Sequence, residues 1–120
     1  MTKAGRERRR TRRVPVQIQI QYQTADGFFQ DYIRNLSLGG IFIETSKPLP
    51  MNTKLRVEFR LPEMSAAISA DGIVVHTFRL GQVKNPTVSG MGIRFSELEP
   101  SSKQMLESYL RGKEEGSVAS

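Results

Sequence analysis

The chain has 120 residues, with 18 Lys and Arg against 12 Asp and Glu, and no cysteine. That rules out a disulfide, a zinc–thiolate site and a thiol nucleophile, and no apolar run approaches the roughly 20 residues of a membrane-spanning helix. One domain with a single modest core is expected, in a soluble, cytoplasmic protein with no membrane insertion.

The excess charge is not spread evenly. Lys3, Arg6, Arg8, Arg9, Arg10, Arg12 and Arg13 stand against Glu7 alone, whereas residues 14–120 carry eleven cations and eleven anions. The first 13 residues lack apolar periodicity and are expected to be a mobile arm in the absence of a ligand. A run of this kind is either a solvated tail or a clamp for an anion. Arginine suits the clamp, because its planar fork bonds phosphate oxygens in pairs and stacks on flat rings.

From Val14 to Gln23 apolar and polar residues alternate strictly, which predicts a half-buried strand with Val14, Val16, Ile18, Ile20 and Tyr22 inward. Pro15 places its start at an edge or entry. Ala25-Asp26-Gly27 signals a hairpin. Phe28–Leu36 and Gly40–Thr45 read as the second and third strands, and the prolines at 48 and 50 make the next segment a loop. Lys54–Leu61 alternates again, with Leu55, Val57, Phe59 and Leu61 inward. Ala66–Phe78 is a long strand in which Ile68, Ala70, Gly72, Val74, His76 and Phe78 share one face, with a bulge or bend at Gly72. Val88–Phe95 closes the set, its Gly90 and Gly92 permitting tight curvature. Glu99-Pro100-Ser101-Ser102 starts a helix carrying Met105, Leu106, Tyr109 and Leu110 at helical spacing, ended by Gly112. The expected architecture is a small antiparallel barrel capped by a C-terminal helix, spanning 14–112 between a basic arm (1–13) and a disordered tail (113–120).

Arg34-Asn35-Leu36-Ser37-Leu38-Gly39-Gly40 separates the second and third strands. In an extended backbone Asn35 and Ser37 share a face, while Leu36 and Leu38 anchor the other. Asn35 and Ser37 can each donate and accept, enough to read a purine edge. Gly39 and Gly40 leave room for a ligand or for a positive backbone angle. The same residue types also make ordinary turns.

An Arg-x-x-x-Arg pair at the mouth of the first strand, followed by Asn-x-Ser-x-x-Gly, resembles the PilZ domain family. The likeness extends through Arg13-Val-Pro-Val16, the Gly-Gly-Ile-Phe-Ile run from Gly39, the strand ending at His76, and Gly90-Met-Gly-Ile-Arg-Phe95. The resemblance implies a six-stranded antiparallel barrel with a C-terminal helix, and a receptor for the bacterial second messenger cyclic di-GMP. By that likeness the arginine pair is Arg9 and Arg13 with Arg8 as helper, although Arg8 and Arg12 have the same spacing. Asn35 replaces the more usual Asp, Ser37 and Gly40 fall where the family contacts the ligand, and His76 stands where a side chain can meet a base. The implied ligand is cyclic di-GMP, with no cofactor and no metal.

The residues give no basis for catalysis. There is one histidine, no paired carboxylates at a motif and no phosphate-loop signature. No enzymatic activity is expected, and the partner is an unidentified downstream effector protein. Two alternatives stand beside this reading. One is a PilZ-type protein adaptor without ligand. The other is a small nucleic-acid-binding barrel, disfavoured because Phe28, Phe29 and Tyr32 make a poor stacking pattern.

Overall fold

The structure, a computed structural model, describes residues 13–62, 64, 67–79 and 89–119, with side chains as far as Lys113. The strands are β1 (Val14–Thr24), β2 (Gly27–Leu36), β3 (Gly40–Glu44), β4 (Lys54–Arg60), β5 (Ala67–Phe78) and β6 (Gly90–Leu98), and α1 runs from Pro100 to Ala119. All neighbours are antiparallel, and the sheet closes in the order β1-β2-β3-β6-β5-β4. Among the described residues no helix is long and apolar enough to cross a membrane.

The alternation read from the sequence holds in β1 and β4. Ile18, Ile20 and Tyr22 are buried, as are Leu55, Val57 and Phe59, while the intervening Gln and charged residues face outward. Ile33, Leu36, Ile41, Ile43, Met91 and Ile93 complete the wall-to-wall packing of a filled barrel. β1 meets β4 only from Ile20 to Gln23, so Pro15 needs a partner only on the β2 side, where it faces Asn35. That is the entry position expected of a proline lacking a backbone donor.

Three differences from the sequence reading matter. α1 does not stop at Gly112 but runs to Ala119. One glycine costs a helix about 1 kcal/mol, and Lys113-Glu114-Glu115 are good helix formers, so a single glycine does not break it. α1 packs on β5, and its Leu106 and Tyr109 are buried in the core.

The second difference is in β5. Register shifts occur at Asp71/Gly72 and again between Val74 and His76. At the first, β5 steps from Asp71 to Gly72 while β6 steps from Glu97 to Phe95, so the extra residue is Ser96 on β6 and the bulge is not in β5 where Gly72 suggested it. At the second, Val75 is an extra residue with no partner on β6, so the phase of the strand flips. Val74 stays in the core opposite Ile93, but His76 and Phe78 turn to the outer wall opposite Gly92 and Gly90. Sharing a face with Ile68 and Val74, as the alternation predicts, is therefore incorrect for these two residues.

The third difference is β6, which runs from Gly90 to Leu98, three residues beyond the expected end; Val88 lies outside the described residues.

Candidate functional site

The ladder between β1 and β2 ends at the pair Val14–Leu36. The next residues in line are Arg13 on one strand and Ser37 on the other, so the basic arm leaves the barrel beside the Asn-x-Ser-x-x-Gly segment. Arg13 is exposed. Arg8 and Arg9 lie outside the described residues.

Arg34 is an extra residue on β2 relative to β3, because Ile33 pairs with Ile43 and Asn35 with Phe42. The bulge turns Arg34 and Asn35 both outward while Ile33 and Leu36 remain in the core. Arg34 pairs with Glu44 on β3. Asp31 faces inward opposite Ile20 and accepts a 2.7 Å hydrogen bond from the Tyr22 hydroxyl.

Asn35 begins the most informative row in the wall. Pro15 pairs with Asn35, Asn35 with Phe42, Phe42 with Gly92, and Gly92 with His76. Residues paired across a ladder share a face, so Asn35 and His76 stand in one line on the outer surface. The neighbouring row carries Tyr32, Glu44, Gly90 and Phe78. The ring centroids of Phe42 and Phe78 are 5.9 Å apart, and those of His76 and Phe78 are 6.0 Å apart. Gly90 is needed here, since a Cβ at that position would strike the Phe42 ring and the Ile43 carbonyl. The glycines of β6 thus let aromatic rings lie against the backbone, the Phe42 and Phe78 rings tilted by 51° and those of His76 and Phe78 by 31°. Gly90 acts through close packing, where the sequence suggested curvature.

Ser37 differs from the expectation of a side chain presented beside Asn35. It is only 4% exposed. Its hydroxyl accepts from the Gly40 N–H at 3.1 Å and donates to the Gly40 carbonyl at 3.2 Å, and its own N–H donates to that carbonyl at 2.9 Å. The physical reason is that β2 ends at Leu36 and the chain turns at once, so the alternation of an extended strand no longer applies. Ser37 closes the turn, with one lone pair of its hydroxyl left. The Gly39 carbonyl accepts from the Phe95 N–H at 2.9 Å, tying the turn to β6.

Gly40 is required for a packing reason. A Cβ there would run into the Ile93 carbonyl oxygen, and neither Gly39 nor Gly40 has a left-handed backbone. Around Gly39 there is open space.

Phe42, Phe78 and Arg94 are the wall residues that sequence reasoning did not single out. Phe42 lies within a quoted run, and its outward phase could be read from Ile41 and Ile43. The place of Phe78 depends on the Val75 bulge, which leaves no local signal. Among the described residues no group of three or more His, Cys, Asp or Glu is placed to hold a metal.

The PilZ domain model matches residues 7–112 of the chain. No curated protein matches it. Among solved structures it is similar to the Bacillus subtilis inhibitor of motility MotI/DgrA, at 22% identity and a TM-score of 0.74, covering 87% of this chain and 50% of that one. It is also similar to the PilZ domain of Escherichia coli YcgR, solved with c-di-GMP, at 21% identity and a TM-score of 0.67, covering 92% and 94%. The chain therefore spans half of the first protein and nearly all of the second. At these identities the likeness is one of fold. A closed six-stranded barrel with a C-terminal helix, and a family model matched over most of the sequence, establish that this chain belongs to the PilZ domain family.

Proposed function

We propose that this PilZ domain is a cyclic di-GMP receptor that binds the dinucleotide and does no chemistry on it. The observation that carries the reading is the outer row that runs from Asn35 through Phe42 and Gly92 to His76, its Asn35 end lying beside the Val14–Leu36 end of the β1–β2 ladder that Arg13 directly precedes. The ligand named for the YcgR PilZ domain has two phosphates and two guanines, and this wall suits both parts. Arginines 8, 9 and 13 supply charge-assisted bonds to phosphate and planes on which guanine stacks. Asn35 offers a donor and an acceptor to a base edge. His76 and the Phe42–Phe78 pair offer aromatic ring faces to a base.

Ser37 and Gly40 act mainly by holding the turn. The Ser37 hydroxyl is engaged in both directions with Gly40, and among the described residues no basic side chain is hydrogen-bonded to it. That favours a binding role over a nucleophilic one.

Binding fixes the arm against the wall. The cost is about 1–2 kcal/mol of backbone entropy per residue ordered, offset by several charge-assisted bonds. The new surface made by arm and ligand is what a downstream protein reads. Isothermal titration with cyclic di-GMP tests the reading and gives the stoichiometry. Saturable micromolar or tighter binding supports it, and no heat at 100 µM ligand rejects it. A parallel titration with single-stranded nucleic acid separates it from nucleic-acid binding.

A further inference from the structure

We infer that Arg94 is a further ligand-binding residue, gripping the dinucleotide from the side opposite the arm. This rests on the cyclic di-GMP reading above. Arg94 pairs with Gly40 across the β3–β6 ladder, two residues from Gly92 on the same face of β6. Ile93 between them is in the core, so Arg94 must face outward, and it is exposed.

Two features make it more than a surface charge. The first is position. Gly40, Gly90 and Gly92 have no side chains, and the rings beside Gly90 and Gly92 lie against the wall. Arg94 is therefore the first side chain on β6 able to stand up from that wall. It borders Gly40 from the β6 side, whereas Arg13 approaches Ser37 from the β1 side. A dianion seated on the Asn35–Gly40 segment would have guanidinium groups on both flanks.

The second feature is availability. Arg34 is held by Glu44, and Arg56 by Asp71 and Glu99. Arg94 has no ion pair or hydrogen bond among the described residues. Its other neighbours on the outer surface are Ile73, directly opposite on β5, and beyond that Lys54 on β4. Together these residues line a shallow concavity of about 520 Å³. Among the described residues the only carboxylate lining it, Asp71, is taken by Arg56 at 3.0 Å. No free carboxylate among the described residues lines it to compete with a phosphate for the Arg94 guanidinium, whose long stem can turn toward Gly40 or toward Lys54.

The test is isothermal titration of the full chain with cyclic di-GMP at two salt concentrations, using wild type, Arg94→Ala, Arg94→Lys and Arg111→Ala. Arg111 is an exposed cation on α1 and controls for general charge loss. Arg94→Ala is expected to weaken binding about tenfold or more, with a shallower salt dependence and an unchanged Tm for the empty protein. Arg94→Lys should recover part of the loss, and Arg111→Ala should stay within about twofold of wild type. If wild type binds and Arg94→Ala binds equally well, Arg94 is not a ligand residue while the receptor reading stands. If wild type binds no cyclic di-GMP, the receptor reading fails and this assignment falls with it.

Discussion

Asn35 on β2 and His76 on β5 stand in one cross-strand row, joined through Phe42 and Gly92. The row exists because Arg34 bulges on one strand and Val75 on another, each extra residue resetting which side chains face out. If this line is the ligand wall, the two ends should behave alike. Asn35→Ala and His76→Ala are each expected to weaken cyclic di-GMP binding by about 1–2 kcal/mol, between several-fold and thirtyfold. His76 is exposed, so its variant should melt with wild type. Calorimetric affinity alongside thermal melting decides this, and an unaltered affinity in both variants would remove the row from the site.

The arm should separate from the fold. Arg9→Ala and Arg13→Ala are expected to lower affinity about tenfold or more through lost charge-assisted bonds, while the empty protein keeps its Tm within about 2 °C. A large fall in Tm without ligand would mean that these arginines support the barrel instead.

The two adjacent glycines should give opposite results. Gly40→Ala forces a Cβ against the Ile93 backbone, with an expected cost of about 2–3 kcal/mol and a fall in Tm of roughly 10–15 °C. Gly39→Ala meets nothing within 4 Å and needs no left-handed backbone. It should change stability by less than about 0.5 kcal/mol, or raise it slightly by restricting the unfolded chain. Thermal melts of both variants check the pair. Equal Tm values would show that β3 and β6 can part at little cost.

Ser37→Ala removes both side-chain bonds to Gly40. A loss of about 1–3 kcal/mol is expected in the empty protein, with weaker ligand binding as a consequence of the loosened turn. If Ser37→Ala melts with wild type yet loses affinity, the hydroxyl serves the ligand directly.

Tyr22 gives the fold an alkaline limit. Its phenol is 2% exposed and donates to Asp31, and burial first, then the Asp31 hydrogen bond and charge, push its pKa well above the ordinary tyrosine value. The folded state therefore holds the proton more tightly than the unfolded chain. The resulting stability is fully present below the unfolded value, about 10, and is lost as pH rises from there toward the folded value. Chemical denaturation between pH 8 and 11 should show a decline beginning near pH 10. Tyr22→Phe should be less stable at pH 8, because Asp31 loses a partner, and its decline should be shallower. An identical alkaline slope in the two proteins would place the effect elsewhere.

Composition and alternation alone determined that the chain has a neutral body with a cationic leader, that its strands alternate Ile and Val with Gln and charge, and that a helix follows Glu99. Those properties are local: a period of two or of 3.6 residues is written into consecutive side chains. The candidate site segment was legible for the same reason, since Asn35, Ser37 and Gly40 lie close together in the chain. Tertiary structure decided the rest. Bulges at Arg34 and Val75 choose which residues face outward, and a bulge is defined by the partner strand it faces, not by its own sequence. Ser37 turned inward because β2 ends at Leu36 and the chain folds back onto Gly40, and Gly40 has no room for a Cβ because β6 lies against it, a contact between strands distant in the chain. Arg94 came to border Gly40 through the β3–β6 pairing, which no run of neighbouring residues encodes.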